Sequence, residues 1–258
     1  MSLTKYNLED METSQSKEFY RLFLDAIVKR MTNRVVVPVS GGLDSTLIVK
    51  ALFDLGLEKD VRYVTMYGNK YAEMVAERYG ISLEVFTPEY KEEDLIKMVE
   101  ILEEPFYSPS VNFYLYKKIS EMGGRVSFSG LGADELFGGY DYYDTPNYPR
   151  GLFNEVYALF NHEKKEEDLH FLTHHHLREN EKIGLYWQVE GRYPFLDKYL
   201  DFKDVGKSLI KEILLRDFPD SFVNRKKEGF RIDNNKDRAH QKKHYLKQLD
   251  LFKQIFKI

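Results

Sequence analysis

The sequence predicts an α/β protein in which a parallel sheet with flanking helices is followed by a helical C-terminal part. Three observations lead there. Short apolar runs with the character of buried strands alternate with segments whose apolar residues recur at helical spacing. Glycine-rich stretches stand where strands run into helices, at 40–45 and 129–140, and beyond Tyr140 the strand signals give way to helical periodicity. Such alternation requires right-handed crossovers and puts ligand loops at the carboxyl ends of the strands.

Taken in order, Phe19, Leu22, Phe23, Ala26 and Ile27 predict a helix within residues 1–33 that packs on the sheet. Val35 opens the first strand, and Leu47, Ile48, Ala51 and Leu52 mark one face of the helix that follows. Val61–Met66 reads as the second strand, with a helix through Ala72, Ala76 and Tyr79 that Gly80 ends. Leu83–Phe86 is the third strand, Leu95–Leu102 lies on a helix, Ser110–Met122 is a tyrosine-rich helix, and Arg125–Ser129 is the next strand. The polar loop Asp141–Pro149 puts a boundary near residue 150, between an α/β region (1–150) and a helical region (151–258). In the second region Pro194 breaks a helix at Gly191–Asp197, Lys207–Leu215 is helical, and Arg225–Phe230 is a basic turn. Leu246, Leu249, Phe252, Ile255 and Phe256 predict a docked terminal helix.

Composition bounds the function. With 258 residues, 43% of them hydrophobic, the chain can bury the core of one large α/β domain with a helical annex. A formal net charge of −4 gives no reason to expect nucleic acid as the main partner. Cysteine is absent, which removes disulfides, thiolate metal sites and a cysteine nucleophile. No apolar run approaches the roughly 20 residues that span a bilayer, and no signal-peptide pattern opens the chain, so a cytoplasmic protein without a membrane partner is expected. His170, His174, His175 and His176 contain an i, i+4 pair but no accompanying carboxylate motif, so an ordinary helix face is the simpler reading. Glu163–Asp168 reads as a solvated charged face.

The chemistry is carried by the loops. Ser40, Gly41, Gly42, Asp44 and Ser45 combine small residues with a helix N-terminus, where backbone amides favour an anion such as phosphate. Paired glycines admit close backbone approach and the serine hydroxyls can donate to phosphate oxygens. Asp44 would repel a bare phosphate, so it points to a bridging Mg2+. No Gly-Lys-Ser/Thr follows, which excludes the Walker loop; an ordinary glycine-rich turn is the bland alternative. The second loop, SGLGADELFGGY at 129–140, sets Asp134 and Glu135 beside four glycines at the same edge of the sheet. Two acids there suit Mg2+ or a cationic group, against the alternative of a flexible turn with a capping Asp.

The SGGLDS loop resembles the pyrophosphate-binding loop of the N-type ATP pyrophosphatases, with the adenine nucleotide alpha hydrolase-like fold. Together with SGLGADELFGGY, EGRYPFLD at 190–197, a lysine-bearing helix from Lys207, and RKKEGF at 225–230, the chain resembles the synthetase domain of the asparagine synthetase family from about Val35 to Phe230. The resemblance implies ATP and Mg2+, adenylation of a small-molecule carboxylate, release of pyrophosphate, and attack by ammonia or an amine. It implies that Ser40, Gly41, Gly42, Asp44 and Ser45 hold pyrophosphate, that Ser129 and Gly130 lie against the nucleotide, and that Asp44 and Asp134 approach the metal. Lys207 stands where the family helix carries a supporting lysine, at the edge of the apolar stripe Leu209, Ile210, Ile213 and Leu214. The resemblance also offers Lys182, after Glu181, as a second cation, against the alternative of a surface lysine.

Two departures qualify it. The family's glutaminase domain and its cysteine are missing, so ammonia would come free or from a separate glutaminase subunit. Leu131 occupies the position of a family glutamate or tyrosine and cannot take a proton. Two other expectations stay open: an ATP pyrophosphatase acting on an RNA base or peptide, and a nucleotide- or partner-binding module without catalysis.

Overall fold

The structure is a computed structural model, and it describes residues 13–89, 91–104, 111–139, 168–170, 172–200, 202, 206–225 and 238–257. Five strands form one parallel sheet in the order β3-β2-β1-β4-β5: Val35–Pro38 (β1), Arg62–Met66 (β2), Leu83–Phe86 (β3), Val126–Phe128 (β4) and Glu190–Arg192 (β5). Val36 pairs with Arg62 on one side and with Ser127 on the other, so β1 is central. The helices are Ser14–Arg30 (α1), Leu43–Asp54 (α2), Lys70–Tyr79 (α3), Glu92–Leu102 (α4), Val111–Glu121 (α5), Ala133–Phe137 (α6), Arg178–Tyr186 (α7), Ser208–Leu214 (α8), Asp220–Val223 (α9) and Arg238–Phe256 (α10); every connection between strands is a crossover, and α2 to α7 lie on those connections.

The period of two along β1 divides the core. Val35, Val37 and Val39 face one apolar layer with α1, α2 and α8, whereas Val36 faces a second layer with α4, α5 and α7. On the first side α1 docks through Phe19, Phe23 and Ile27, all fully buried. Each such side chain contributes about 1.5–3 kcal/mol by leaving water, enough to hold a helix whose propensity alone would not. Thr13 caps α1 by accepting the Ser16 amide hydrogen at 3.1 Å. Gly80 ends α3 at φ +63°, as its position after Tyr79 predicts. The terminal helix α10 lies along α4, with Leu251 against the second layer and Lys247 2.5 Å from Glu92.

The order 3-2-1-4-5 reverses direction between β1 and β4, and that switch point opens a crevice at their carboxyl ends. Three expectations need correction. A fifth strand exists at Glu190–Arg192, where only a helix break is expected, and Pro194–Leu196 then forms a single 3-10 turn. The helix read from Lys207 begins at Ser208, with Lys207 outside it as a left-handed cap. Within 163–168 only Asp168 is described, and it is buried rather than solvated. The boundary near residue 150 and the motif residues 140 and 226–230 lie outside the described residues.

Candidate active site

The first loop leaves β1 through Val39, whose amide donates to the Val64 carbonyl at 2.8 Å and whose carbonyl accepts from Thr65 Oγ1 at 2.8 Å. Gly41 then turns at φ +69°, and a Cβ there would lie 2.5 Å from Tyr71 Cβ, so the turn admits only glycine. Gly42 is the N-cap of α2 and brings no side chain to its first-turn amides. The serines serve the loop itself: Ser45 Oγ accepts the Ser40 amide hydrogen at 3.2 Å and donates to the Gly42 carbonyl at 3.1 Å. Ser40 Oγ accepts from the Gly42 amide at 3.2 Å. In the structure these hydroxyls hold the backbone cradle in shape.

The second loop leaves β4 at Ser129, whose amide donates to the Arg192 carbonyl of β5 at 2.9 Å and whose Oγ accepts the Leu131 amide hydrogen at 3.2 Å. It touches the first loop at Gly130, where a Cβ would meet Asp44 Cβ at 2.7 Å. Leu131 sits half-buried beyond that contact. Gly132, at φ +94°, turns the chain into α6 and brings Asp134 into its first turn.

Lys207 closes the constellation. Its backbone is left-handed, φ +58°, and is held there by its amide bond to the Phe137 carbonyl at 2.9 Å and by that of Gly206 to Gly138 at 3.2 Å. The segment is thus pinned to the end of α6, and the side chain, 5% exposed, carries its ammonium to Asp44 Oδ1 and, at 2.6 Å, to Asp134 Oδ1. Gly139 makes the space: a Cβ there would lie 2.2 Å from Lys207 Cε and 2.3 Å from Asp134 Oδ1. Asp44, Asp134 and Lys207, far apart in the chain, are therefore brought together at the switch point between β1 and β4.

Lys182 is engaged elsewhere. Its ammonium binds the Leu102 carbonyl at 2.9 Å and Glu103 at 2.6 Å, at the end of α4, while neighbouring Glu181 accepts from Tyr193 Oη at 2.8 Å. The His170 and His174 rings stack 3.9 Å apart, and His174 Nδ1 lies 3.0 Å from the His170 carbonyl oxygen. Burial lowers the His175 pKa.

Two residues support the first loop: Asn69, which sequence reasoning passed over, and Arg225, which it placed in a motif without a role. Asn69 donates Nδ2–H to the Ser40 carbonyl at 3.0 Å and, through Oδ1, caps α3 at the Ala72 amide at 3.1 Å. An Asn ahead of a helix is a readable cap signal, but its second contact is not. Arg225 donates to the Gly41 carbonyl at 2.8 Å across 184 residues, which no local pattern announces.

The donor set fits the expected ligands in part by its own chemistry. Two carboxylate oxygens already converge on one buried cation, and hard divalent cations take oxygen ligands of this kind. Among the described residues no group of three or more His, Cys, Asp or Glu side chains could hold a metal, so Mg2+ would complete its shell with phosphate oxygens and water. The amides at the start of α2 face a helix-dipole field that favours an anion beside it. A cleft of about 380 Å³ lined by Glu58, Arg62, Tyr63 and Glu84 lies at the other end of β2 and β3, away from both loops.

Comparison with known proteins identifies a family. The profile of the asparagine synthase family matches residues 18–169. An asparagine synthetase [glutamine-hydrolyzing] of Asparagus officinalis is 32% identical over 216 residues, covering 74% of this chain and 34% of that protein. The corresponding enzyme of Sandersonia aurantiaca is 30% identical over 223 residues, covering 74% of this chain and 38% of that protein. Asparagine synthetase [glutamine-hydrolyzing] 1 of Arabidopsis thaliana is 30% identical over 213 residues, covering 74% of this chain and 35% of that protein. The chain thus spans about a third of the length of these relatives, and no helix among the described residues is long and apolar enough to cross a membrane. On the match over residues 18–169, more than half of its length, the chain belongs to the asparagine synthase family.

Proposed function

We propose that this chain is an ATP-dependent amide ligase that adenylates a small carboxylate, releases pyrophosphate and passes the acyl group to ammonia or another amine. The observation that carries the reading is the convergence of Lys207, Asp44 and Asp134 between two glycine-walled loops at the carboxyl ends of β1 and β4. ATP is the substrate whose pyrophosphate lies on the 40–45 cradle, with the nucleotide against Ser129 and Gly130. Bound Mg2+ would be held by Asp44 and Asp134 and would neutralise phosphate charge.

The chain's own residues divide the remaining work. The first-turn amides of α2 orient the pyrophosphate, and their position is set by Ser45, Ser40 and Asn69. Negative charge gathers on the α-phosphorus oxygens as the carboxylate attacks and the bond to the β-phosphate breaks. Lys207, preorganised by its backbone bonds, sits where a cation strengthens its hold as that charge develops. Leu131 takes no proton, so the amine arrives neutral or loses its proton to another group. Lys182, paired with Glu103, enters as a second cation only if that exposed pair opens. The relatives are named for glutamine hydrolysis; these 258 residues contain no cysteine, so the nitrogen they use is free ammonia, an amine, or ammonia delivered by a glutaminase outside them.

The test is pyrophosphate release from ATP and Mg2+ across a panel of carboxylic acids, aspartate among them, with and without ammonium. AMP and pyrophosphate formed with one acid, and an amide formed when ammonium is added, are expected. ADP with phosphate as the products would overturn the reading.

A further inference from the structure

We propose that Arg225 is a positioning residue for the phosphate loop: its guanidinium locks the Gly41–Gly42 peptide in the orientation that receives an anion. The inference rests on the proposed function, since it assigns how that loop is kept ready. The peptide plane between two glycines rotates at low cost, because neither residue has a Cβ to restrict it. A carbonyl oxygen rotated toward a bound phosphate would repel it. In the structure both ends of this plane are held. Ser40 Oγ accepts the Gly42 amide hydrogen at 3.2 Å, and Arg225 Nη2 donates to the Gly41 carbonyl at 2.8 Å.

Arg225 is itself fixed. Nη1 donates to the Phe222 carbonyl at 2.7 Å, and the guanidinium lies over the Tyr71 ring at 3.7 Å and the Phe222 ring at 4.7 Å from their centroids. Tyr71 is also the residue against which Gly41 packs without room for a Cβ. Ring, guanidinium and glycine turn therefore form one stack, which joins the loop to α9. A planar fork with several donors can stack and hydrogen-bond at once, which the ammonium of lysine cannot.

Two measurements on the whole protein test this. The first is the affinity for magnesium pyrophosphate by titration calorimetry. Arg225→Met and Arg225→Lys should both weaken it, by about 10- to 100-fold, the size expected for one hydrogen bond from a charged group. Ethylguanidinium should restore part of the loss in Arg225→Met. The second is hydrogen exchange in the ligand-free protein, where the amides of 39–46 should exchange faster in both variants while those of β1 and β4 keep their protection. Arg225→Lys matching the natural protein would reduce the residue to a source of charge and overturn the proposal. Faster exchange across the whole sheet would assign it to the fold alone, with the same consequence. If the unaltered protein fails to bind magnesium pyrophosphate, the proposed function falls, and the exchange measurement still decides whether Arg225 holds the loop.

Discussion

Lys50 and Lys207 are both buried, and each stands between two aspartates. Around Lys50 the partners are Asp54 at 3.1 Å, one turn along α2, and Asp217 at 2.8 Å, in the turn after α8. Those carboxylates are bonded further: Tyr20 donates to Asp54 at 2.6 Å, while Tyr79 at 2.9 Å and Arg78 at 2.5 Å bind Asp217. Burial, and then the charge of Asp217, push the Tyr79 phenol far above its usual range, so it remains a donor. The result ties α1, α2, α3 and the turn after α8 into one knot. Around Lys207 the partners sit at loop exits, beside glycines at 130 and 139 that leave no room for a Cβ. A lysine between two aspartates thus makes a closed joint when anchored on helices by phenols. At the switch point, walled by glycines, the same arrangement makes the site proposed above to receive a phosphate and its metal.

Lys50→Met should break the first cluster hardest, because it leaves Asp54 and Asp217 buried without their shared ammonium. A loss of about 3–5 kcal/mol in denaturant unfolding is expected, with pyrophosphate binding by the folded fraction unchanged. A variant of normal stability with lost pyrophosphate release would erase the distinction. Lys207→Met is the counterpart. Turnover should fall by about 100- to 1,000-fold with ATP affinity within a few-fold, as for loss of one preorganised donor. Its metal-free form should also melt lower, since Asp44 and Asp134 then face each other, and Mg2+ should recover part of that loss. Near-normal turnover would remove Lys207 from the mechanism.

Gly139→Ala probes the wall without touching charge. The added methyl meets Lys207 Cε and Asp134 Oδ1, and forcing it in should cost about 1–3 kcal/mol and lower pyrophosphate release at saturating ATP. Unchanged stability and rate would show that the ion pair tolerates displacement. The smallest effect is pH dependence at the knot. Burial raises the Asp54 pKa against the pull of Lys50 and Tyr20. For Asp217 burial alone would raise it, but hydrogen bonds and charge from Lys50, with Arg78 and Tyr79, bring it below its usual value. Asp217 therefore contributes stability that is present above its unfolded pKa of about 4 and is lost as pH falls through the lower folded value. Asp54 acts in the opposite sense, contributing below about pH 4 and losing that contribution as pH rises through its raised folded value. Melting temperatures across pH should show Asp54→Asn flattening the decline above pH 4, and Asp217→Asn flattening the decline below it. A slope unaltered by Asp54→Asn would place its titration outside the folding equilibrium.

Much of this architecture is legible in the chain because it is encoded locally. Apolar valines at 35–37, the small residues at 40–45, the stop at Gly80 and the glycines around Asp134 each impose a backbone preference within a few residues of themselves, so strands 1 to 4, their helices and both ligand loops can be read directly. Asp44 and Asp134 follow from the same logic, as acids placed at the exits of parallel strands. What the tertiary structure alone decided depends on distant contacts. Glu190–Arg192 carries no strand propensity and becomes β5 because β4 offers it a free edge to pair with. Lys207 takes a left-handed backbone because Phe137 and Gly138 bind its segment, and that turn, invisible in the lysine itself, aims the ammonium at Asp44 and Asp134. Asn69 and Arg225 reach the Ser40 and Gly41 carbonyls only after the helices that carry them have packed, since partners 29 and 184 residues apart leave no mark on local periodicity.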